Sequence, residues 1–467
     1  MNLLRYMTDK VVMKMEEKRL SRNDYLFISS MLFGLFFGAG NLIFPVFVGQ
    51  QSGQNLWLGN LGFLVAGVGL PFLGVIAIGL SKSRGVFELA SKVSKPYGII
   101  FTMLLYLTIG PLFAGPRSAT IPFEIGIAPH IKPGQQAGWL LLFSFLFFTV
   151  VWLLAIKPTK ILVYVGKYLN PIFLCALAIL LLFVFIQPMG NYADFAATSI
   201  YQKNTFMSAF GQGYYTMDAL AGLAFGIIIV DTIKDLGVTN SKSITKGIIY
   251  SGSISVILMG IIYTCLAYLG ATSLGSFARS DNGGAILAQV AERYFGSLGS
   301  LFLAAIIVVA CIKTAIGVTS AFAKTCAEII GRGSYELYLT LGCVVSFLIA
   351  NVGLDQLISL STPVLMLLYP LAIVLMIAAC LEPVLESYNL KVGILYKWLT
   401  VLTFFSAIFD GLNAMPMSVK NLAFTKNMLN FANHYLPLFN IGLSWMLPAA
   451  VGLIMGFIFM IRKNKVN

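Results

Sequence analysis

The chain has 467 residues, of which 58% are hydrophobic and 10% are charged, and its mean hydropathy is +0.87. This composition excludes a large soluble protein and is typical of a chain that crosses a lipid bilayer many times. The formal net charge is +13, from 31 Lys and Arg against 18 Asp and Glu. Since the whole chain contains two histidines, a histidine-based metal site has almost no ligands available.

Charges interrupt the first 23 residues every few positions, so a cleaved signal peptide is not expected there, and we interpret residues 1–23 as a cytoplasmic segment. Apolar runs follow, each bounded by charged or turn-forming residues. There are twelve: residues 25–48, 56–80, 97–123, 138–156, 161–187, 206–230, 247–271, 298–323, 335–350, 356–380, 394–412 and 437–461. The pattern predicts an all-α polytopic membrane protein with about twelve transmembrane helices, and residues 281–297 are compatible with a further helix in the outer vestibule.

The distribution of Lys and Arg predicts the orientation, because cytoplasmic loops retain positive charge. With the N-terminus inside, twenty-three basic residues lie in inner segments and six in outer loops. The two remaining basic residues, Arg117 and Lys313, are left inside the membrane. Both termini are therefore expected to be cytoplasmic, and the net charge indicates membrane topology rather than nucleic-acid binding.

A short motif recurs in the first and sixth runs, which cross the membrane in opposite directions. "FGAG" begins at Phe37 and "FGQG" begins at Phe210. Inverted repeats with interrupted helices at corresponding positions indicate a transporter binding site. The match is only four residues long, so its placement matters more than its letters.

The first run, "FGLFFGAGNLIFP", is unusual for a membrane helix. Gly34 and Gly38 form a GxxxG pair, which alone would indicate a helix-packing face. Pro45, however, lacks an N–H group and crowds the carbonyl of Asn41, so we expect local unwinding at residues 38–41. Freed N–H groups at the start of a half-helix suit a carboxylate, and freed carbonyls suit Na⁺.

Two charged side chains near the middle of apolar runs are candidates for function. Asp218, in the sixth run, is expected to have a partner, and cation coordination, binding of a substrate ammonium or proton carriage is favoured over a structural pairing with a neighbouring helix. Lys313, in the eighth run, is too far from either end to reach water, and its ammonium is a candidate to replace a bound cation, with a plain ion pair between two helices as the alternative. We interpret Arg117 and Glu124, toward the outer end of the third run, as structural or vestibule-lining.

No recognisable nucleophile, metal or acid-pair arrangement is present, and the HExxH and P-loop motifs are absent, so an enzyme is not expected. A passive pore is the competing class, because glycine-broken helices also line channels.

Four segments carry a resemblance to a known family: "FGAGNLIFPVFVGQQSG", "GPLFAGPRSATIPFEIG", "GYYTMDALAGLAFG" and "STPVLMLLYPLAIVL". The chain resembles, over nearly its whole length, the branched-chain amino acid carrier family, the BrnQ-type bacterial symporters for leucine, isoleucine and valine. The resemblance implies the leucine-transporter fold of the amino acid-polyamine-organocation superfamily, with helices 1 and 6 unwound at mid-membrane. Its parts would be an inverted pair of five-helix repeats at residues 24–190 and 204–382, helices 11 and 12 at 392–461, and a cytoplasmic tail at 462–467.

The resemblance also implies a substrate site. The N–H groups of Ala39 and Gly40 would meet the substrate carboxylate, and Tyr215 would form an aromatic lid. Asp218 would stand beside the substrate, where the fold usually has a small hydroxyl. The implied substrate-binding set is Gly38, Ala39, Gly40, Tyr214, Tyr215, Thr216 and Asp218.

Two cation positions are implied in the same way, with Na⁺ or H⁺ as the coupling ion and no other cofactor. Asn41, Thr216 and the Phe36 carbonyl would form one. The Gly34 and Phe37 carbonyls would form the second with hydroxyls of the eighth run, either Thr314 or the pair Thr319 and Ser320. Lys313, beside Thr314, departs from the usual pattern of the fold and leaves the identity of the coupling ion undecided. Lys313 and Asp218 are the candidates for coupling transport to an ion or for replacing an ion.

The expected partners are a small substrate (leucine, isoleucine or valine) and the lipid bilayer, with no protein partner evident. The expected location is the bacterial plasma membrane. A carrier of the same fold for another neutral amino acid stays an alternative, because apolar residues near the break would suit most neutral side chains.

Overall fold

A computed structural model describes residues 20–156, 170–296 and 299–465, and helices are the only regular secondary structure in these ranges. The all-helical prediction is therefore confirmed. The first half contains α1 (Arg22–Phe36), α2 (Gly40–Ser52), α3 (Leu56–Leu64), α4 (Leu70–Leu80), α5 (Val86–Ser91), α6 (Lys95–Leu107), α7 (Ala114–Gly126), α8 (Gln136–Ala155) and α9 (Asn170–Ile186). Single π-turns join α3 to α4 at Val65–Gly69 and α6 to α7 at Thr108–Leu112.

The second half begins with the short helix α10 (Ser199–Lys203). It continues with α11 (Thr205–Tyr214), α12 (Asp218–Asp235), α13 (Ser241–Ser273), α14 (Gly283–Phe295), α15 (Gly299–Ile330), α16 (Tyr335–Ala350), α17 (Leu354–Ser387), α18 (Gly393–Asn413), α19 (Met417–Lys420), α20 (Ala423–Tyr435) and α21 (Met446–Lys465). The helix expected within residues 281–297 is confirmed as α14.

Within the described ranges, eight helical segments are long and apolar enough to cross a membrane, or nine if the bent pair α11 and α12 counts as one span. Two further apolar helices, Phe173–Ile186 and Tyr335–Ala350, are shorter. The first residues of the predicted run 161–187 lie outside the described ranges. The number of twelve crossings stays a prediction.

The last predicted run, residues 437–461, was wrong at its start. Leu438 and Gly442 adopt left-handed backbone conformations, with φ of 64° and 70°, and they bracket a turn of 3₁₀-helix at Phe439–Ile441. Because such residues cannot continue an α-helix, α21 begins only at Met446. Hydropathy alone does not reveal this turn, since its residues are mostly apolar.

The helix that follows the first break, α2, packs on α13 so closely that the two backbones are in contact. A Cβ atom on Gly49 of α2 would lie 1.9 Å from the Ala267 carbonyl oxygen of α13, and one on Gly270 of α13 would lie 1.9 Å from the Val46 oxygen of α2. Only glycine fits at these positions. α2 and α13 therefore approach closely along one seam, while α12 packs on α4 and α1, so all of these helices surround one centre.

Candidate functional site

The first helix break, at residues 37–39, separates α1 from α2. The N–H of Gly38 donates to Asn41 Oδ1 at 3.0 Å, so a side chain closes the gap in the backbone bonding. Ala39 already has helical torsions, and α2 begins at the next residue. The break thus starts one residue before the predicted unwinding at 38–41 and ends before Asn41. The N–H groups of Leu42 and Ile43 donate to the Ala39 carbonyl, so the N–H groups before them form the positive dipole end of α2.

The second break, at residues 215–217, separates α11 from α12, which meet at 44°. Met217 has a left-handed φ of 63°, a conformation that residues with side chains rarely adopt. The Thr216 hydroxyl donates to the Gly213 carbonyl at 2.9 Å and accepts from the Asp218 N–H at 3.3 Å. The "FGQG" motif lies within α11, before this break, whereas "FGAG" lies at the first break itself. The two copies of the motif therefore differ in register.

Asn41 joins the two breaks. Its Nδ2 donates to Asp218 Oδ2 at 2.5 Å and to the hydroxyl of Tyr263 on α13. Tyr263 also donates to Asp218 Oδ2, at 3.0 Å, and all three residues are buried. A buried carboxylate needs such donors because its desolvation is costly. The partner expected for Asp218 is therefore an amide together with a phenol, and no pattern in the sequence points to Tyr263.

α7 brings Arg117 to the same centre. Its Nη2 donates to the Tyr215 carbonyl at 2.5 Å, and its Cζ lies 5.1 Å from the centre of the Phe44 ring. Arg117 is 3% exposed, whereas Glu124, two turns along α7, is exposed. The two residues therefore do not share an environment, and Arg117 lies at the centre of the molecule rather than in a vestibule.

These elements enclose a cavity of about 30 Å³, which suffices for a water molecule but not for an amino acid. Its polar wall brings together most of the predicted site: Gly38, Ala39, Gly40, Asn41, Thr216, Asp218 and Thr314, with Arg117 added. Its apolar wall includes Phe36, Ile109, Phe225 and Val318. Within the described ranges, no three His, Cys, Asp or Glu side chains form a group that could hold a metal ion. A cation at this place would need carbonyl, amide or hydroxyl oxygens in addition to the Asp218 carboxylate.

The structure places the two predicted tyrosines differently. Tyr214 is buried against Tyr369 of α17, with ring centroids 4.2 Å apart, and does not line the cavity. Tyr215 stacks on Phe44 at 5.6 Å and lines a second, larger cavity of about 460 Å³, which also contains Asp410. Tyr215 therefore lies at the boundary between the two cavities.

The hydroxyl candidates of the eighth run also separate. Thr314 on α15 donates to the Phe37 carbonyl at 3.4 Å, and a Cβ atom on Gly38 would lie 3.0 Å from its side chain. Thr319 instead donates to Ala315 of its own helix, and Ser320 lines a different cavity of about 440 Å³. Thr314 is the hydroxyl that reaches the first break.

Lys313 lies next to Thr314 and is 1% exposed. Its Nζ lies 5.2 Å from the centre of the Phe173 ring on α9, and Phe173 packs against Phe37 with centroids 5.2 Å apart. The lysine therefore lies behind the first break, and it is not among the residues that line the central cavity. Gly34 is buried in α1, one turn before the break.

Comparisons with known proteins agree with this arrangement. A sequence model described as "Branched-chain amino acid transport protein" matches residues 21–463. A branched-chain amino acid permease BrnQ of Lactobacillus delbrueckii is 42% identical over 93% of this chain and 96% of its own length, and BrnQ of Bacillus subtilis is 39% identical over 96% and 100%. BrnQ of Escherichia coli is 35% identical over 94% and 96%.

Solved structures support the fold. MhsT in complex with L-phenylalanine superposes with a TM-score of 0.55 at 14% identity, covering 95% of this chain and 99% of that one. A manganese transporter of Eremococcus coleocola gives a TM-score of 0.55 at 15% identity over 96% and 97%. These likenesses confirm a leucine-transporter-like helical fold. The relatives are permeases rather than enzymes, and the resemblance found in the sequence is confirmed: the chain belongs to the branched-chain amino acid transport protein family, whose members are multi-pass membrane transporters.

Proposed function

We propose that this protein imports leucine, isoleucine and valine across the bacterial plasma membrane as a secondary active transporter coupled to Na⁺ or H⁺. The observation that carries the proposal is the junction of the two broken helices, where Asn41 bonds to Asp218 beside the central cavity. Discontinuous helices that meet at a small polar centre are the construction by which such carriers bind substrate and alternate access. The names of the relatives supply the substrate class.

The groups that line the central cavity match a zwitterion with an apolar side chain, and the cavity would have to widen to admit it. The N–H groups at the start of α2, from Ala39 and Gly40, would receive the substrate carboxylate, because a helix N-terminus favours an anion. Asp218 would receive the ammonium, while Ile109, Phe225 and Val318 provide the apolar surface. Tyr215, stacked on Phe44, would close over the substrate from the side of the larger cavity.

The coupling ion would bind next to the first break. The Phe37 carbonyl and the Thr314 hydroxyl already meet there, and the Gly34 carbonyl is the further candidate for that position. Asn41, Thr216 and the Phe36 carbonyl are the candidates for a position nearer the substrate. Lys313 could instead supply a permanent positive charge behind Phe37, or, with Asp218, take part in proton coupling.

The proposal includes twelve crossings, with both termini in the cytoplasm. α1 and α2 would form the first crossing, and α11 and α12 the sixth, each broken at mid-membrane. Alternating access would then follow from movement of these broken helices around the central site.

The test is uptake of radiolabelled leucine by proteoliposomes containing the purified protein, with inward gradients of Na⁺, of H⁺ or of neither, and with unlabelled amino acids as competitors. A symporter accumulates leucine above the external concentration under one gradient and saturates with concentration. Flux that neither saturates nor accumulates would indicate a pore. Strong competition by another neutral amino acid, without competition by isoleucine or valine, would indicate a different substrate.

The role of Lys313 is tested in the same assay with Lys313→Thr. If its ammonium replaces a cation, wild-type uptake needs no Na⁺, and the variant acquires a Na⁺ requirement. Equal and strong Na⁺ dependence in both proteins would contradict this role. Lys324→Thr is the matched control, because Lys324 lies on the same helix but is exposed and pairs with Asp231 at 3.2 Å; its uptake is expected to match wild type.

A further inference from the structure

Arg117 is a buried cation whose donors are only partly used. Its Nη2 donates to the Tyr215 carbonyl, but Nε and Nη1 are both buried without a hydrogen-bond partner among the described residues. Among the residues that the structure describes, no carboxylate oxygen lies within 4.0 Å of the Arg117 guanidinium. A buried donor of a charged group that lacks a hydrogen-bond partner costs folding free energy. Two such donors on one side chain therefore indicate a functional role.

The guanidinium lies beside the start of α2. A Cβ atom on Gly40 would be 2.9 Å from Arg117 Nη2, so the arginine packs against the backbone of the first residue of this helix. Two positively polarised groups, the guanidinium and the N-terminus of α2, therefore converge on one wall of the central cavity. The carboxylate of the same cavity, Asp218, is bonded to Asn41 and Tyr263 instead.

The guanidinium also packs against an aromatic ring. Its Cζ lies 5.1 Å from the centre of the Phe44 ring. An arginine packed on an aromatic ring gains cation–π stabilisation without using its N–H donors, so Nε and Nη1 stay available for hydrogen bonds. A carboxylate is the ligand that suits these donors best, because its bonds to a guanidinium are charge-assisted.

We propose that Arg117 binds the carboxylate of the substrate, together with the N–H groups at the start of α2. This inference rests on the proposed function, since it concerns the same cavity. It adds that Arg117 is the residue that requires the substrate to have a free α-carboxylate. Arg117 and Asp218 would then recognise the two charged ends of one zwitterion. An amino alcohol, which has the same side chain and ammonium but no carboxylate, would bind poorly because it leaves the guanidinium unpaired.

The experiment compares the binding of leucine and leucinol to purified wild-type protein, Arg117→Gln and Arg117→Lys, measured by isothermal titration. Wild type is expected to bind leucine much more tightly than leucinol. Arg117→Gln should lower the affinity for leucine about 10- to 100-fold, as expected for loss of a charged hydrogen-bond partner, and the affinity for leucinol less than about threefold. Arg117→Lys should give an intermediate loss for leucine, since an ammonium keeps the charge without the planar fork.

Arg279→Gln is the matched control. Arg279 also donates to a backbone carbonyl, that of Ala196, but it is exposed and does not line the central cavity. Its affinities for both ligands should equal those of wild type. Equal losses for leucine and leucinol in Arg117→Gln, or no loss for leucine, would overturn the proposal, because a purely structural arginine would not distinguish the two ligands. If Arg117→Gln does not yield folded protein, Arg117→Lys carries the same comparison.

Further pairs of amino acid and amino alcohol, such as phenylalanine with phenylalaninol and alanine with alaninol, separate the test of the substrate class from the test of Arg117. A wild-type protein that binds one of these amino acids but none of leucine, isoleucine and valine would refute the proposed substrate. The comparison between Arg117→Gln and wild type would then use the pair that binds, and would still support or overturn the role of Arg117.

Discussion

The two helix breaks are similar in outline but are held in different ways. At the first, Asn41 reaches back to the N–H of Gly38, so the gap is closed by a side chain three residues away. At the second, Met217 adopts a left-handed conformation and the Tyr215 carbonyl accepts a bond from Arg117 of α7. Each break also has a contact of the other kind, from Thr314 of α15 to the Phe37 carbonyl and from Thr216 to the Gly213 carbonyl, but at the second the bond from a distant helix is charged. The difference indicates that the start of α2 depends mainly on Asn41, while the end of α11 also depends on a charged side chain of α7.

Replacement of Asp218 tests the junction between the breaks most severely. Asp218→Asn removes the only carboxylate that lines the described central cavity, so accumulation of leucine in proteoliposomes should fall to background while the protein still elutes as a monodisperse peak. Asp231→Asn is the control, because Asp231 lies on the same helix but is exposed and paired with Lys324. Its uptake should stay within about twofold of wild type, as expected for an exposed ion pair. Near-normal transport by Asp218→Asn would assign the carboxylate a structural role.

Replacement of Asn41 should have the next largest effect. Asn41→Ala removes the bond that closes the first break and a donor to Asp218, so we expect uptake to fall about tenfold or more and unfolding to become easier by about 1–3 kcal/mol. Initial uptake rates and thermal unfolding in detergent measure the two effects. In Asn60→Ala, the control, a bond of 3.0 Å between α3 and Thr264 of α13 is lost away from the cavity. Equal loss of transport in both variants would contradict a specific role for Asn41.

Thr314 and Thr319 allow a test of the cation position at the first break. If Na⁺ is the coupling ion, Thr314→Val should raise the Na⁺ concentration for half-maximal uptake about tenfold, because it removes a hydroxyl oxygen that lies against the Phe37 carbonyl. Thr319→Val should change it by less than about twofold, since that hydroxyl bonds to Ala315 within α15. Uptake as a function of Na⁺ concentration measures both. Similar shifts in the two variants, or none in Thr314→Val, would argue against sodium at this position.

The smallest effect is expected for Pro45. Pro45→Ala restores an N–H group that can bond to the Asn41 carbonyl, so α2 should become stiffer and the protein more resistant to thermal unfolding, with uptake changed by less than about threefold. Pro122→Ala makes the same change inside α7 and should stabilise the protein without any effect on uptake. A large loss of transport in Pro45→Ala alone would show that the proline, rather than the glycines and Asn41, creates the functional break.

The parts of the site that could be predicted from the sequence are those with a local physical cause. Gly38, Asn41 and Pro45 predict a break because their effects on a helix act within one or two turns. Asp218 is conspicuous because a carboxylate in an apolar run is costly. The helical segments themselves follow from hydropathy, apart from the turn before α21.

The parts that could not be predicted depend on contacts between distant segments. Tyr263 lies in an apolar run, where a tyrosine that faces a carboxylate looks the same in sequence as one that faces lipid. The sequence does not distinguish Arg117 from a structural or vestibule-lining arginine, because its position relative to Gly40 is set by the packing of α7 on other helices. The choice between Thr314 and Thr319 depends on how α15 is rotated, and a rotation leaves no trace in the order of residues.

The stack of Phe44 on Tyr215 has a consequence for inhibition. Phe44 contacts Arg117, which lines the central cavity, and Tyr215 lines the cavity of about 460 Å³, so the stacked rings are one part of the partition between the two spaces. A leucine analogue with a rigid tail longer than an isobutyl group would have to project between these rings. Such a molecule would occupy the site while it prevents the partition from closing, so it would block the carrier without being carried.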